Sequence, residues 1–353
     1  MEHDTVDGKE PRPSTSDSAW SSHGPAESQE PHEIIDHLVI DSDEQDGDST
    51  LGSEVSSITT SLRSTNYEFR YEHGRRYQSA NGIYHLPNDV QEMDRLELQH
   101  LIWIEITGGR YHLAPLKEGR LTHVLDIGTG TGNWAIEFAN LHPEVWVIGT
   151  DLSPIQPDWI PSNCEFFVDD AAQPWVFHER FDYVHTRMLT MGIADWDHIA
   201  DQAYQVLQPG GFLEMQEFSI PLDSPDGSLA EGSALWEWGQ KVREVCARLG
   251  IDSMAATKHA DRLRARGYEN VHDVQLLCPL GPWAKGSREK RLGYMARKDL
   301  YEGIDGISKR LLMIGGDSAE DVDAFLAKCK EELLDPAIHV GLNLRVTWGQ
   351  RPQ

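Results

Sequence analysis

The run Val124-Leu-Asp-Ile-Gly-Thr-Gly-Thr-Gly132 constrains the fold of this chain more than any other nine residues. An apolar stretch of strand character ends in three glycines spaced by two, and a helix-like segment, Asn133 to Asn140, follows without a gap. Glycine is required where the backbone takes positive φ, or where a Cβ would obstruct a neighbouring group. In open α/β sheets, ligands sit beyond the carboxyl ends of the strands. The pattern therefore predicts a strand, a close-approach loop and a helix that together receive a small molecule.

The sign of the local charge narrows the choice of ligand. A dinucleotide-binding loop reads G-x-G-x-x-G and rests a pyrophosphate on the helix N-terminus. Here the third glycine arrives one residue early and Asn133 takes the fingerprint's last position. Asp126, two residues before Gly128, would repel a pyrophosphate but suits a ligand carrying cationic groups. S-adenosylmethionine, with a sulfonium, an ammonium and no phosphate, matches that sign. A nicotinamide oxidoreductase is disfavoured by the same spacing.

Composition removes further classes. The 353 residues carry a net charge of −27, and residues 1–65 hold fifteen acidic against three basic residues, so the remaining 288 still carry −15. Neutralising phosphates needs a basic face, and Arg75-Arg76 is too short to supply one, so no direct nucleic-acid binding is expected. Cys164, Cys246, Cys278 and Cys329 are widely separated, without C-x-x-C or histidines at zinc spacing, which predicts isolated thiols and no metal site. No apolar run approaches a membrane span and no signal sequence opens the chain, so an intracellular protein of cytoplasm or nucleus is expected.

Four regions follow along the chain. Residues 1–65 form an acidic tail with too little apolar surface to offset ordering, and are expected to be disordered. Within it, the β-prone Ile34 to Ile40 followed by Asp41-Ser-Asp-Glu44 makes Leu38 to Glu44 a SUMO-interacting-like motif that could recruit a protein partner by strand addition. Residues 66–120 include an amphipathic helix, Asp89 to Trp103, whose apolar face is assigned to core packing. Residues 121–220 alternate strands (123–127, 145–150, 164–168, 181–185, 212–218) with helices near 134–141 and 196–207, as a parallel sheet with flanking helices requires. Residues 221–353 give helices over 229–249, 261–266, 288–313 and 319–333, a strand over 271–277, and a closing alternating strand, 341–348.

The same strands end in chemistry-bearing residues. Asp151 closes Gly149-Thr-Asp about half a βαβ unit after the loop, where a carboxylate can accept from both ribose hydroxyls. Asp170, in Phe166-Phe-Val-Asp-Asp-Ala171, is placed to accept from an adenine amino group, with turn capping as the alternative. His185 and Arg187, at the end of Phe181-Asp-Tyr-Val-His-Thr-Arg, are the candidate catalytic residues facing a methyl acceptor, His185 as a base where the acceptor must lose a proton. Their structural alternatives are a turn carbonyl for His185 and a carboxylate for Arg187. Trp175, Trp196, Trp236 and Trp238 could wall an acceptor pocket, although Trp236 and Trp238 cannot share one helix face. Glu214 and Glu217 lie three apart on one strand, face opposite sides of the sheet, and so cannot act as a catalytic carboxylate pair.

Taken in order, VLDIGTGTG, GTDLSPIQPDWIP, FFVDDAAQPW, FDYVHTRML and LQPGGFLEMQEF resemble a class I S-adenosylmethionine-dependent methyltransferase, and more narrowly the fungal methyltransferases related to LaeA, the regulator of secondary metabolism. Tyr71-Glu-His-Gly-Arg-Arg-Tyr77, Tyr84 to Asp89 and Trp348-Gly-Gln-Arg-Pro352 extend the likeness over residues 66–352, with departures from the usual pattern at His73 and Gln78. The resemblance implies a Rossmann-like α/β fold with a seven-stranded, mostly parallel sheet and helices on both faces. It implies Gly128, Gly130 and Gly132 against the methionine portion of the donor, Asp151 at its ribose, Asp170 at its adenine and Asp126 in support of the loop. Residues 66–120 would form a lid segment over a 121–220 cofactor core, and 221–353 would hold the acceptor, a small molecule of fungal secondary metabolism. A nuclear regulator that binds the same cofactor and acts through partners is the alternative.

Overall fold

The computed structural model describes residues 69–78, 84–117 and 119–353. The acidic tail and its Leu38 to Glu44 motif lie outside the described residues.

A short antiparallel hairpin comes first, β1 (Phe69–Glu72) and β2 (Arg75–Gln78). His73 and Gly74 between them both have positive φ, 49° and 77°, the pairing that a two-residue type I′ turn demands. Two four-residue strands with three arginines and no apolar alternation are not expected from the sequence; the His73-Gly74 step is the signal that marks their turn. Helix α1 (Val90–Ile106) follows, capped by Asp89, whose side chain accepts from the Glu92 amide. Asp89 also pairs with Arg75 at 2.6 Å, tying hairpin to helix.

The main sheet contains β3 (His123–Ile127), β4 (Trp146–Asp151), β5 (Cys164–Val168), β6 (Phe181–Arg187), β7 (Leu207–Asp223), β8 (Glu269–Pro279) and β9 (Gly341–Gln350), in the spatial order β5-β4-β3-β6-β7-β9-β8. Only β9 runs against its neighbours. Helices α2 (Asn133–Leu141), α3 (Trp196–Val206), α4 (Ala234–Arg248), α5 (His259–Ala265), α6 (Ser287–Gly315) and α7 (Ala319–Leu334) complete the architecture. This is the class I methyltransferase arrangement that the motifs imply.

Burial on both sides explains why the central strands read as near-continuous apolar runs. Along β3, Val124 joins a core with Trp134 and Phe138 of α2, whereas Leu125 and Ile127 join a second core with Trp196, Ile199 and Ala203 of α3 and Leu263 of α5. The first core continues under α4, α6 and α7. Strand β7 is longer than the expected 212–218, since β9 pairs with it from Phe212 opposite Gln350 to Asp223 opposite Gly341. Helix α4 starts at Ala234 instead of Leu229, because Asp226 and Ser228 build a turn first, with His339 Nδ1 2.8 Å from the Asp226 carboxylate.

Candidate active site

The glycine loop connects β3 to α2, and all three glycines take positive φ: 68° at Gly128, 58° at Gly130 and 82° at Gly132. Two of them are also held by contact. A Cβ on Gly128 would stand 2.3 Å from Leu189 Cδ2, and one on Gly132 would stand 2.6 Å from Phe166 Cζ. A Cβ on Gly130 would make only an ordinary contact, 3.7 Å from Leu96 Cδ1. The backbone here is bare toward a cavity of about 200 Å³ at the carboxyl ends of β3, β4 and β6.

Asp151 sits on this loop. Its two oxygens accept from the amides of Gly130 and Ser153, each at 2.8 Å. Burial, reinforced by the nearby Asp126 carboxylate, pushes the Asp151 carboxyl up to about 6 against the pull of those amides. Asp170 meets its structural alternative, accepting from the Ala172 amide at 3.0 Å in a local turn, yet it lines the same cavity with Asp169 and Ala171.

Asp126 and His185 are register partners on β3 and β6. The Asp126 carboxylate meets His185 Nδ1 at 2.7 Å and accepts from Thr129 Oγ1 at 2.6 Å. The imidazole stacks on Trp134 at 3.9 Å between centroids, 10° from parallel, and Trp134 is fixed by its Nε1 donating to the Tyr111 carbonyl. His185 has no exposed surface, and its Nε2 is buried without a protein partner. The expected alternatives therefore do not hold: His185 bonds a carboxylate, not a turn carbonyl, and Arg187 places its Nη2 2.9 Å from His100 Nδ1, not on a carboxylate. His100 in turn holds Glu137 through Nε2 at 2.7 Å.

Helix α1 departs from the sequence reading. Its buried face is more than core packing, for Glu92, Arg95, Leu96, Gln99, His100 and Trp103 all line the cavity. Glu92, Arg95, Gln99 and Trp103 recur at helical spacing, and polar residues on a face that must be buried were the available signal. Arg95 is bidentate on Glu92 and reaches Asp299 of α6 at 2.9 Å. The far end of the cavity is apolar, walled by Phe218, Ile220, Leu222, Trp238, Leu300 and Leu342. Of the four candidate tryptophans, only Trp238 lines the cavity; Trp196, which opens α3, packs on His259 at 4.5 Å, Trp175 donates to the Ala171 carbonyl, and Trp236 lies off the wall. Trp103 and Trp134 were not anticipated. Glu214 and Glu217 do face opposite sides: Glu214 accepts from the amides of Leu113 and Ala114, Glu217 from Thr190.

The four cysteines are free and buried, and no cluster able to hold a metal occurs among the described residues. No helix among the described residues is long and apolar enough to cross a membrane.

The bare loop, the carboxylates beside it and the order of the strands fit the site expected for S-adenosylmethionine. A methyltransferase-domain family model matches residues 106–273, and a relative of the same class is 34% identical over 85% of this chain. The chain belongs to the class I S-adenosylmethionine-dependent methyltransferases, in their fungal LaeA-like group. That relative is the methyltransferase pytC of Aspergillus terreus, 93% of which is covered. The probable methyltransferase tdiE of Emericella nidulans is 32% identical over 78% of this chain and 87% of its own. The secondary metabolism regulator laeA of Aspergillus fumigatus is 30% identical over 85% and 82%.

Proposed function

We propose that the protein methylates a small, largely apolar acceptor of fungal secondary metabolism at oxygen, nitrogen or carbon. The observation that carries this reading is the continuity of one cavity, from the glycine loop and its carboxylates to the apolar wall of Phe218, Ile220, Leu222, Trp238, Leu300 and Leu342. Bound S-adenosylmethionine supplies a sulfonium-activated methyl group. The chain's part is alignment and exclusion of water, which can supply most of the acceleration in a displacement of this kind.

In this reading Gly128, Gly130 and Gly132 lie against the methionine end, Asp151 takes the ribose hydroxyls and Asp170 the adenine. The apolar wall holds the acceptor so that its nucleophilic atom approaches opposite the departing sulfur. Where that atom carries a proton, His185 is the base: Asp126 holds Nδ1–H and leaves the Nε2 lone pair to take it. Residues 66–120 and 221–353 then act as lid and acceptor-binding parts around a 121–220 core.

The test is metabolite profiling of a deletion strain. Loss of one methylated product with accumulation of its unmethylated precursor is expected; Ile307 of α6 also lines the cavity, and restoration by wild type but not by Ile307→Trp, whose ring would fill that space, ties the effect to the cavity. A second reading has its own support, the laeA relatives named as regulators and, in Emericella nidulans, as a protein-methionine methyltransferase. An apolar chamber also suits a thioether side chain. Under that reading the deletion collapses many pathways together with their transcripts.

A further inference from the structure

Among the described residues, Arg187 has no carboxylate in ion-pair contact. It ends β6 one residue after Thr186, whose register partner on β3 is Ile127, so it stands beside the start of the glycine loop. It lines the cavity together with Gly128 and Gly130. Its Nη2 donates to His100 Nδ1 at 2.9 Å. Because Nδ1 accepts, His100 keeps its proton on Nε2 and gives it to Glu137.

The two carboxylates that act most strongly on Arg187 through charge are hydrogen-bonded to other groups. Asp126 is occupied by His185 at 2.7 Å and by Thr129 at 2.6 Å, and Glu137 by His100 at 2.7 Å and by the Tyr111 hydroxyl at 2.8 Å. Among the described residues, no carboxylate forms an ion pair with Arg187. Burial pushes its guanidinium down to about 10, which still leaves it protonated at neutral pH. A half-buried guanidinium that faces a cavity without an ion-paired carboxylate is poised for an anion that a ligand brings.

Given the S-adenosylmethionine reading, on which this step rests, only one group of the donor is anionic. We infer that Arg187 is the binding residue for the α-carboxylate of the donor's methionine moiety, with His100 as the positioning residue that aims the guanidinium into the cavity. The free guanidinium N–H groups form a planar fork that matches a carboxylate, which an ammonium cannot reproduce. Arg187 is thereby assigned to the donor, and the acceptor face is left to His185 and the apolar wall.

The experiment compares ligands that differ in the one group at issue. Binding of S-adenosylmethionine, decarboxylated S-adenosylmethionine and 5′-methylthioadenosine is measured by titration calorimetry on wild type, Arg187→Met and Arg187→Lys. Wild type should prefer the carboxylated donor over its decarboxylated form roughly 10- to 100-fold, as a charge-assisted pair in a buried site provides. Arg187→Met should bring that ratio close to one while 5′-methylthioadenosine binding changes no more than about twofold, and Arg187→Lys should fall between. A wild-type ratio near one overturns the inference, as does an Arg187→Met that keeps the preference or weakens all three ligands alike. If Arg187→Met does not fold, the wild-type ratio and Arg187→Lys decide. Failure of wild type to bind any of the three refutes the cofactor assignment instead.

Discussion

With Asp151 as the proposed ribose-binding residue, cofactor binding should depend on pH in a range where few other carboxylates titrate. Burial raises its carboxyl to about 6 in the protein without donor. A ribose hydroxyl that donates to it favours the ionised form, so donor binding must pull that value down again. The sign follows: above pH 6 the site is already charged and affinity is flat, whereas below pH 6 each binding event must expel a proton. Affinity should then fall by about tenfold per pH unit, so that a titration with S-adenosylhomocysteine reads roughly tenfold weaker binding at pH 5 than at pH 7.5. Asp151→Asn supplies the control. The amide cannot accept from both the Gly130 and Ser153 amides as the carboxylate does, so the variant should lose about 1–3 kcal/mol of stability. Its affinity at pH 7.5 should drop at least tenfold, and the slope below pH 6 should vanish. An Asp151→Asn protein that retained the slope would falsify the assignment, because the proton would then belong to another group.

Three further expectations rest on separate features. Burial lifts the Glu217 carboxyl to about 8, against hydrogen bonds from Thr190 and Thr186; a raised folded value means that stability declines as pH climbs from the ordinary glutamate range toward 8, so thermal melts of Glu217→Gln should be flatter than wild type between pH 5 and 8. His73 holds φ 49° in the hairpin turn, a conformation asparagine tolerates better than most residues, and His73→Asn should stabilise by about 0.5 kcal/mol in urea unfolding, with an unchanged or lower midpoint counting against the turn argument. Ile307→Trp should bind donor within about twofold of wild type in calorimetry while abolishing product formation in the complemented strain; a product that persists would place the acceptor elsewhere.

What could be read from the chain divides along physical lines. Strand β3 and its glycines were legible because a strand buried on two faces has to be apolar throughout, and because three alternating glycines have few uses besides close approach. The last strand was legible from the alternation of Leu342, Leu344 and Val346, and α6 and α7 from their long helical periodicity. The extent of β7 was not, since what prolongs it is pairing with β9 more than a hundred residues later. Asp151, Asp126 and the loop were found as a group because they occupy the ends of consecutive strands. The contributions of Glu92, Arg95 and His100 were missed because α1 precedes the sheet in sequence, and only the folded chain brings its polar stripe against Asp299 and Arg187. His185 and Arg187 were correctly placed at the end of one strand, but the imidazole and carboxylate that surround them come from other elements.

Phe166 lies beneath two glycines at once: a Cβ on Gly132 or on Gly149 would each stand 2.6 Å from its ring. Three positions, far apart along the chain and drawn from a loop and two neighbouring strands, are thus one mutational unit. Alanine at either glycine should be rejected on its own and better accepted alongside Phe166→Ala, although the positive φ of Gly132 and the 2.9 Å approach of a Gly149 Cβ to Thr129 Oγ1 would each persist as a separate penalty. Deep mutational scanning should therefore find epistasis between Gly149 and Phe166, and any lineage that adds a side chain beneath the glycine loop must change the ring before the glycine.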